Sequence, residues 1–258
     1  MNVETLQSQL RKLWMTTAAR ELEEVLTQHQ KAASLDWVSE LLEREIDARQ
    51  AHGIQTRIRR AGFPKVTALE SFDWTFNPKI DRKKIEELAS LEFMKRNRIA
   101  LFLGAPGVGK THVAIAIGVR AAKAGARVFW ATAKGLIRHI ALAKAKNNLD
   151  ELFKRILSSR LWIIEDWGVI SMNREVAEDI FDLLDRRTYS SAMILTSNRD
   201  VKEWAEIFPD PVLANATIDR IFDRAEIVTF EGHSYRLNGK IEEPEHVPDS
   251  GVSRYGRH

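Results

Sequence analysis

The stretch Ile99-Ala-Leu-Phe-Leu-Gly-Ala-Pro-Gly-Val-Gly-Lys-Thr111 limits what this chain can fold into more than any other. Ile99, Leu101, Phe102 and Leu103 read as a buried strand, and Val113 to Ala122, alternating Ala with Ile and Val, reads as a tightly packed helix. Between them Gly104-x-x-x-x-Gly109-Lys110-Thr111 fits the P-loop pattern. In that pattern backbone N–H groups and a helix N-terminus surround a polyphosphate, and a lysine ammonium reaches the outer phosphates. The loop from Gly104 through Ala105, Pro106, Gly107, Val108 and Gly109 to Lys110, Thr111 and His112 is therefore the candidate nucleotide cradle. Thr111 would hold Mg²⁺ through its hydroxyl.

The pattern around the cradle repeats strand then helix. Arg127 to Thr132, Leu161 to Ile164, Met193 to Asn198 and Glu226 to Phe230 read as further strands, with helices over 134–146, 149–159 and 173–187. Five strands alternating with helices predict an α/β fold, a parallel, doubly wound sheet. Before it, residues 3 to about 31 carry Leu6, Leu10, Leu13, Trp14, Leu22, Val25 and Leu26 at helical spacing. A second helix, N-capped by Ser34, has Val38, Leu41, Leu42 and Ile46 as its apolar stripe. Two such helices make a thin core, so they must pack on the main domain or on another chain. Gly62-Phe-Pro64 ends the helical pattern. The expected organisation is an N-terminal helical interaction domain over 1–65, the sheet domain over 66–238 and a mobile tail over 239–258.

Composition narrows the function. The chain has no cysteine, which excludes disulfides and thiolate metal sites, and its seven histidines show no ligand spacing. No apolar run approaches twenty residues and Met1 opens no signal pattern, so the expectation is a soluble cytoplasmic protein without a membrane partner. Net charge is only +3, yet basic residues cluster at Arg57, Arg59 and Arg60, at Lys95, Arg96 and Arg98, and at Lys144 and Lys146. Such clusters suit polyanions or simply form solvated helix faces.

Several separated pieces fit a nucleotide site. In P-loop folds an acidic residue at a neighbouring strand end holds Mg²⁺, and Leu161-Trp-Ile-Ile-Glu165-Asp166 offers two. Their order reverses the usual Asp then Glu. A metal carboxylate one methylene too long and a base one too short predict slow hydrolysis, since misplacement of about 1 Å can cost on the order of 10²-fold in rate. Ser197 and Asn198 end the next strand, placed for the γ-phosphate or its attacking water, or for an ordinary turn. Arg220 and Arg224 lie four apart on one helical face. Arg220 is the first candidate for an arginine supplied to a neighbouring subunit's phosphate; a salt bridge to Asp219 or Asp223 is the plainer alternative. Arg236 would sense nucleotide within its own chain.

Taken together and in this order, Arg59-Arg-Ala-Gly-Phe-Pro64, Leu69-Glu-Ser-Phe-Asp-Trp74, Gly104 to Thr111, Ile164-Glu-Asp-Trp-Gly168, Leu195-Thr-Ser-Asn198, Asp219-Arg220 and Ser234-Tyr-Arg236 resemble the IstB-like ATP-binding helpers of insertion-sequence transposases. That family is similar to DnaC-type helicase loaders of the AAA+ class, and the likeness spans residues 8 to about 238. The resemblance implies an AAA+ P-loop ATPase using ATP and Mg²⁺, bound at a subunit interface, that oligomerises on duplex DNA and directs a transposase. It also implies roles. Lys110 and Thr111 bind phosphate and Mg²⁺, Glu165 and Asp166 form the Walker B pair, and Asn198 is sensor I. Arg220 becomes the finger, Arg236 the sensor II candidate, and Phe72 and Trp74 lie against adenine. Phosphate contacts by Lys144 and Lys146, or by Arg57, Arg59 and Arg60, would give DNA binding with little sequence preference. A helicase loader, or a scaffold using ATP only for assembly, are the alternatives.

Overall fold

The computed structural model describes residues 3–29 and 36–237. Ser34 and the tail 239–258 lie outside them. Strands β1 (Ile99–Gly104), β2 (Val128–Thr132), β3 (Leu161–Trp167), β4 (Ala192–Ser197) and β5 (Ala225–Phe230) pair in the order β2-β3-β4-β1-β5, and every pairing is parallel. Both faces of the inner strands β3, β4 and β1 are covered, so these are apolar along most of their length, whereas the edge strand β5 alternates, with Ile227 and Thr229 exposed. On β1, Ile99 and Leu101 enter one core and Ala100 and Phe102 the other.

The first core is roofed by α7 (Ala133–Ala145), α8 (Leu149–Leu157), α9 (Arg174–Arg187) and α10 (Pro211–Phe222). Its largest members are the fully buried Trp162, Trp167 and Trp204. The second core is roofed by α6 (Lys110–Lys123) with α4 (Arg82–Ala89) and α5 (Glu92–Lys95). At Gly118 of α6 a Cβ would stand 2.6 Å from Ile163 Cδ1 and 2.9 Å from Phe63 Cζ, so only glycine lets α6 approach β3 this closely. No helix among the described residues is long and apolar enough to cross a membrane.

The N-terminal part departs from its pattern. The helix expected over 3–31 is two, α1 (Val3–Lys12) and α2 (Thr16–Gln28), separated by a turn in which Trp14 has φ 60°. Met15 caps nothing at the start of α2. Instead the buried Glu45, on α3 (Asp36–Ala61), accepts from Ala18 N at 2.7 Å, a capping bond that no local pattern encodes. The stripe on α3 is also corrected: Leu41 packs with Ala18, Leu22 and Val25, but Leu42 and Ile46 are exposed. Glu45, four residues after Leu41 and on the same helical spacing, takes the inward place instead. The α3 helix runs on past α2 to the sheet domain, where Arg57 Nε donates to Ala122 O at 2.8 Å. The helical segment leading into β1 breaks at Leu91, φ 68°, into α4 and α5.

Candidate nucleotide site

Parallel strands deliver their C-terminal ends to one rim, and the loops there build the site. Strand β4 lies between β1 and β3, so the P-loop, the Glu165-Asp166 pair and Asn198 converge. Gly107 and Gly109 have φ of 84° and 107°. These values turn successive N–H groups toward one side, the concave arrangement that binds anions. Lys110 opens α6 and is only 5% exposed. Its Nζ donates to Gly104 O and Ala105 O, both at 2.7 Å. Burial pulls its pKa down to about 8, against the opposing pull of Asp166 and Glu165.

Across the loop, Thr111 Oγ1 donates to Glu165 Oε2 at 3.1 Å and Trp130 Nε1 donates to Glu165 Oε1 at 3.1 Å. Burial pushes the Glu165 carboxyl above its ordinary range, so the carboxylate is poised for a cation. A hydroxyl and a carboxylate are hard oxygen donors, the set Mg²⁺ takes together with nucleotide phosphates. Thr111 and Glu165 would hold the ion, which would neutralise charge on the transferring phosphate.

Asp166 lies at φ 56°, where the β3–β4 register slips between Ile164 and Trp167. Aspartate tolerates the left-handed region better than most residues. The bulge turns Asp166 away from Glu165's course: its backbone N donates to Thr196 Oγ1 at 3.2 Å and its Oδ1 accepts from Asn198 Nδ2 at 3.2 Å. The inverted pair is thus divided by the backbone. Glu165 faces Thr111 and Trp130, and Asp166 is exposed beside Asn198. Ser197 is buried and braces the turn by donating to Trp167 O at 2.8 Å.

Two segments flank the cradle. Phe72 covers Gly109 so closely that a Cβ there would meet its ring at 2.6 Å, and it packs edge-on against Trp74 and His112 at 4.8 and 5.4 Å between ring centroids. His112 is further tied to this linker, its backbone O accepting from Thr67 Oγ1 at 3.0 Å. On the other side, Tyr235 N donates to Gly107 O at 3.0 Å, and Ser234 abuts Gly107. Asn77 locks the two segments together, donating to His233 O at 3.1 Å and accepting from His233 N at 2.9 Å. Trp130 and Asn77 escape sequence reading. Trp130 looks like one more strand aromatic, and Asn77 acts only through a partner remote in the chain.

The lowered pKa of Lys110 has a measurable consequence. Binding a polyphosphate needs the ammonium form, so nucleotide affinity should be flat below pH about 8. Above it, affinity should fall by up to about tenfold per unit until the complex itself deprotonates. Titrating a fluorescent ATP analogue from pH 6.5 to 9.5 checks this. Lys110→Arg should flatten the profile, and a wild-type profile flat to pH 9.5 would contradict the buried-amine reading.

A family model described as IstB-like ATP binding protein matches residues 5–243. The chain belongs to the IstB-like ATP-binding family. It is 42% identical over 199 residues, 77% of this chain and 75% of the other, to a protein of Pseudomonas aeruginosa named as an ATP-binding protein of insertion sequence IS21. It is 36% identical over 205 residues, 80% and 82% of the two chains, to its counterpart for insertion sequence IS5376 in Geobacillus stearothermophilus. Among solved structures it is similar to DnaI, TM-score 0.55 at 20% identity over 70% of this chain and 92% of that one. It is also similar to AMPPCP-bound DnaA from Aquifex aeolicus, TM-score 0.54 at 21% identity, over 68% of this chain and about half (53%) of that one. These likenesses show an AAA+ P-loop fold.

Of the other residues of interest in this IstB-like chain, Arg236 lies beside the cradle and the rest stand on other elements. Arg220, on α10, pairs with Asp185 of α9 at 2.9 Å rather than with Asp219 or Asp223. Arg236 follows Tyr235 beside the P-loop, and its charge bears on both Lys110 and Glu165. Lys144 is held by Asp179 at 3.0 Å and Glu175 at 3.5 Å. Lys146 lines a cleft of about 410 Å³ between α7 and α8 with His139 and Arg155. Arg59 and Arg60 are exposed near the end of α3, on a different helix from both lysines.

Proposed function

We propose that the protein is an ATP-dependent AAA+ regulator that oligomerises on duplex DNA and brings a transposase to it. One observation carries the assembly step. Charges of the same chain act on Lys110 and Glu165 from Asp166 and Arg236, while Arg220 stands outside that set on α10, paired with Asp185. An arginine outside its own site, on a helix surface, fits a finger that reaches the γ-phosphate of the next protomer. In this reading Lys110, Glu165, Asp166 and Asn198 serve hydrolysis, and Phe72, Trp74 and Arg236 frame the nucleotide. The first 65 residues supply protein contacts. Lys146, Arg59 and Arg60 contribute phosphate contacts on DNA, with Arg57 and Lys144 joining only after releasing Ala122 O and the Asp179–Glu175 pair. The transposase enters because relatives carry insertion-sequence names.

The test is the mass of the protein on duplex DNA with ATP or ADP, by electron microscopy and sedimentation. Multimers on DNA with ATP, lost in Arg220→Ala at undiminished ATP affinity, support the reading. A monomer in every nucleotide state overturns it. A second reading, ATP as an assembly ligand without productive hydrolysis, is favoured by the short Asp166 carboxylate bound to Asn198. Phosphate release with and without DNA separates the two.

A further inference from the structure

The edge of the sheet opposite the P-loop carries a pattern the nucleotide chemistry does not use. Four of the five strands are entered from an arginine: Arg98 before Ile99, Arg127 before Val128, Arg160 before Leu161 and Arg224 before Ala225. In a parallel sheet all strand starts share one edge, and the strand order sets these four in the sequence Arg127, Arg160, Arg98, Arg224, with β4 between the middle two. Their backbones belong to the ladder itself. Arg160 N donates to Arg127 O, Ala192 N to Arg160 O, Met193 N to Arg98 O and Ile99 N to Arg224 O. The row is therefore rigid, and at ~4.8 Å per strand it spans roughly 19 Å.

Where β4 interrupts the row, the turn Thr188-Tyr-Ser-Ser191 presents Tyr189, 79% exposed. The turn is pinned from both sides. Asn97 Nδ2 donates to Tyr189 O at 2.8 Å, and Arg160 Nη1 donates to Ser190 O at 3.2 Å. An aromatic ring thus stands in the middle of an arginine row. Beside it, Arg96, Arg98 and Arg224 line a cleft of about 930 Å³ with Glu87, Ala225 and Glu226.

Helix C-termini also gather at this edge, and cations there can simply answer their carbonyls. Arg160 and the buried Arg187, whose Nη1 donates to Ser191 O at 2.7 Å, are instead spent on carbonyls of the turn after α9. Arg224 lies 4.0 Å from Asp223. Arg96, Arg98 and Arg127 are exposed, and among the described residues no side-chain hydrogen bond or ion pair engages them. Three uncommitted guanidinium groups exceed what the helix ends require. Arginine suits phosphate through its planar fork, and an exposed aromatic among arginines suits an unstacked base.

We propose that this edge binds single-stranded nucleic acid, with the arginines on its phosphates and Tyr189 stacked on a base. The site is separate from the nucleotide cradle and does not rest on the assembly reading. A duplex keeps its bases stacked and would leave Tyr189 idle, and an acidic protein segment offers it no base.

The test is fluorescence anisotropy of the full chain with a labelled thymidine 20-mer, without nucleotide, over a salt series. Tyr189→Ala should weaken binding about tenfold and Tyr189→Phe should not, because stacking needs the ring and not the hydroxyl. The double variant R98A/R127A should flatten the slope of log K against log salt by about 1.4, at ~0.7 per phosphate contact on a single strand. ATP affinity unchanged in these variants would show an intact fold and keep the result apart from any failure at the cradle. Single-strand binding unaltered by both Tyr189→Ala and R98A/R127A overturns the proposal. So does an equal loss on a duplex 20-mer, or polyglutamate displacing the oligonucleotide at equal charge concentration.

Discussion

Lys110→Ala is expected to weaken ATP binding by roughly 10²- to 10⁴-fold while leaving the protein folded. Hydrogen bonds to charged groups contribute about 1.5–3 kcal/mol each, and an ammonium shared between two phosphates makes at least two, with ~1.4 kcal/mol per factor of ten. Without nucleotide the same ammonium is bound to Gly104 O and Ala105 O and kept from water by burial. Removing it leaves two carbonyls without that donor but also relieves a desolvated cation, and the two changes oppose each other in stability. Calorimetric titration with ATP and Mg²⁺, beside a thermal melt, checks both halves. Binding within threefold of wild type would mean that the glycine loop holds the phosphates without its lysine.

Gly104→Ala should act through the fold. Gly104 has φ 150° and pairs with Phe230 across β1 and β5. A Cβ there would lie 2.1 Å from Phe230 O and 3.0 Å from Phe230 C. Both atoms are backbone, so no side chain can swing aside, and β5 must move. We expect a loss of about 3 kcal/mol or more, a fall in Tm on the order of 10 °C. Because the segment after β5 carries Ser234, Tyr235 and Arg236 onto the P-loop, ATP affinity should fall with it. Gly125→Ala is the contrast. It shares a positive φ of 96°, but nothing lies within 4 Å of its Cβ, leaving only backbone strain of ~1–2 kcal/mol. Equal melting temperatures for the two variants would mean that β5 yields readily at Phe230.

Much of this molecule is legible in its residues taken in order, and the reason is that the legible parts are local. A strand buried on both faces must be apolar, a helix beneath it must be periodic, and a phosphate loop needs glycines ahead of a lysine. These conditions are met within a dozen residues, so the five strands, the helices between them and the cradle Gly104 to Thr111 follow from sequence. The Glu165-Asp166 pair is also visible as two letters. Its division of labour is not, because that depends on the β3 bulge, on Thr196 of the adjacent strand and on the Asn198 side chain beyond it.

Tertiary structure alone decided the rest. Glu45 caps a helix 27 residues upstream, which displaces Leu42 and Ile46 from the interior. Arg220 found Asp185, a partner from another helix, instead of its chain neighbours. Trp130 and Asn77 joined the site through contacts that cross the domain. The arginine row exists only because parallel pairing brings Arg98, Arg127, Arg160 and Arg224 to a common edge. Sequence specifies what each segment requires in order to be buried. Which distant segments satisfy one another is fixed only when the sheet order is chosen and every buried polar group must find a partner.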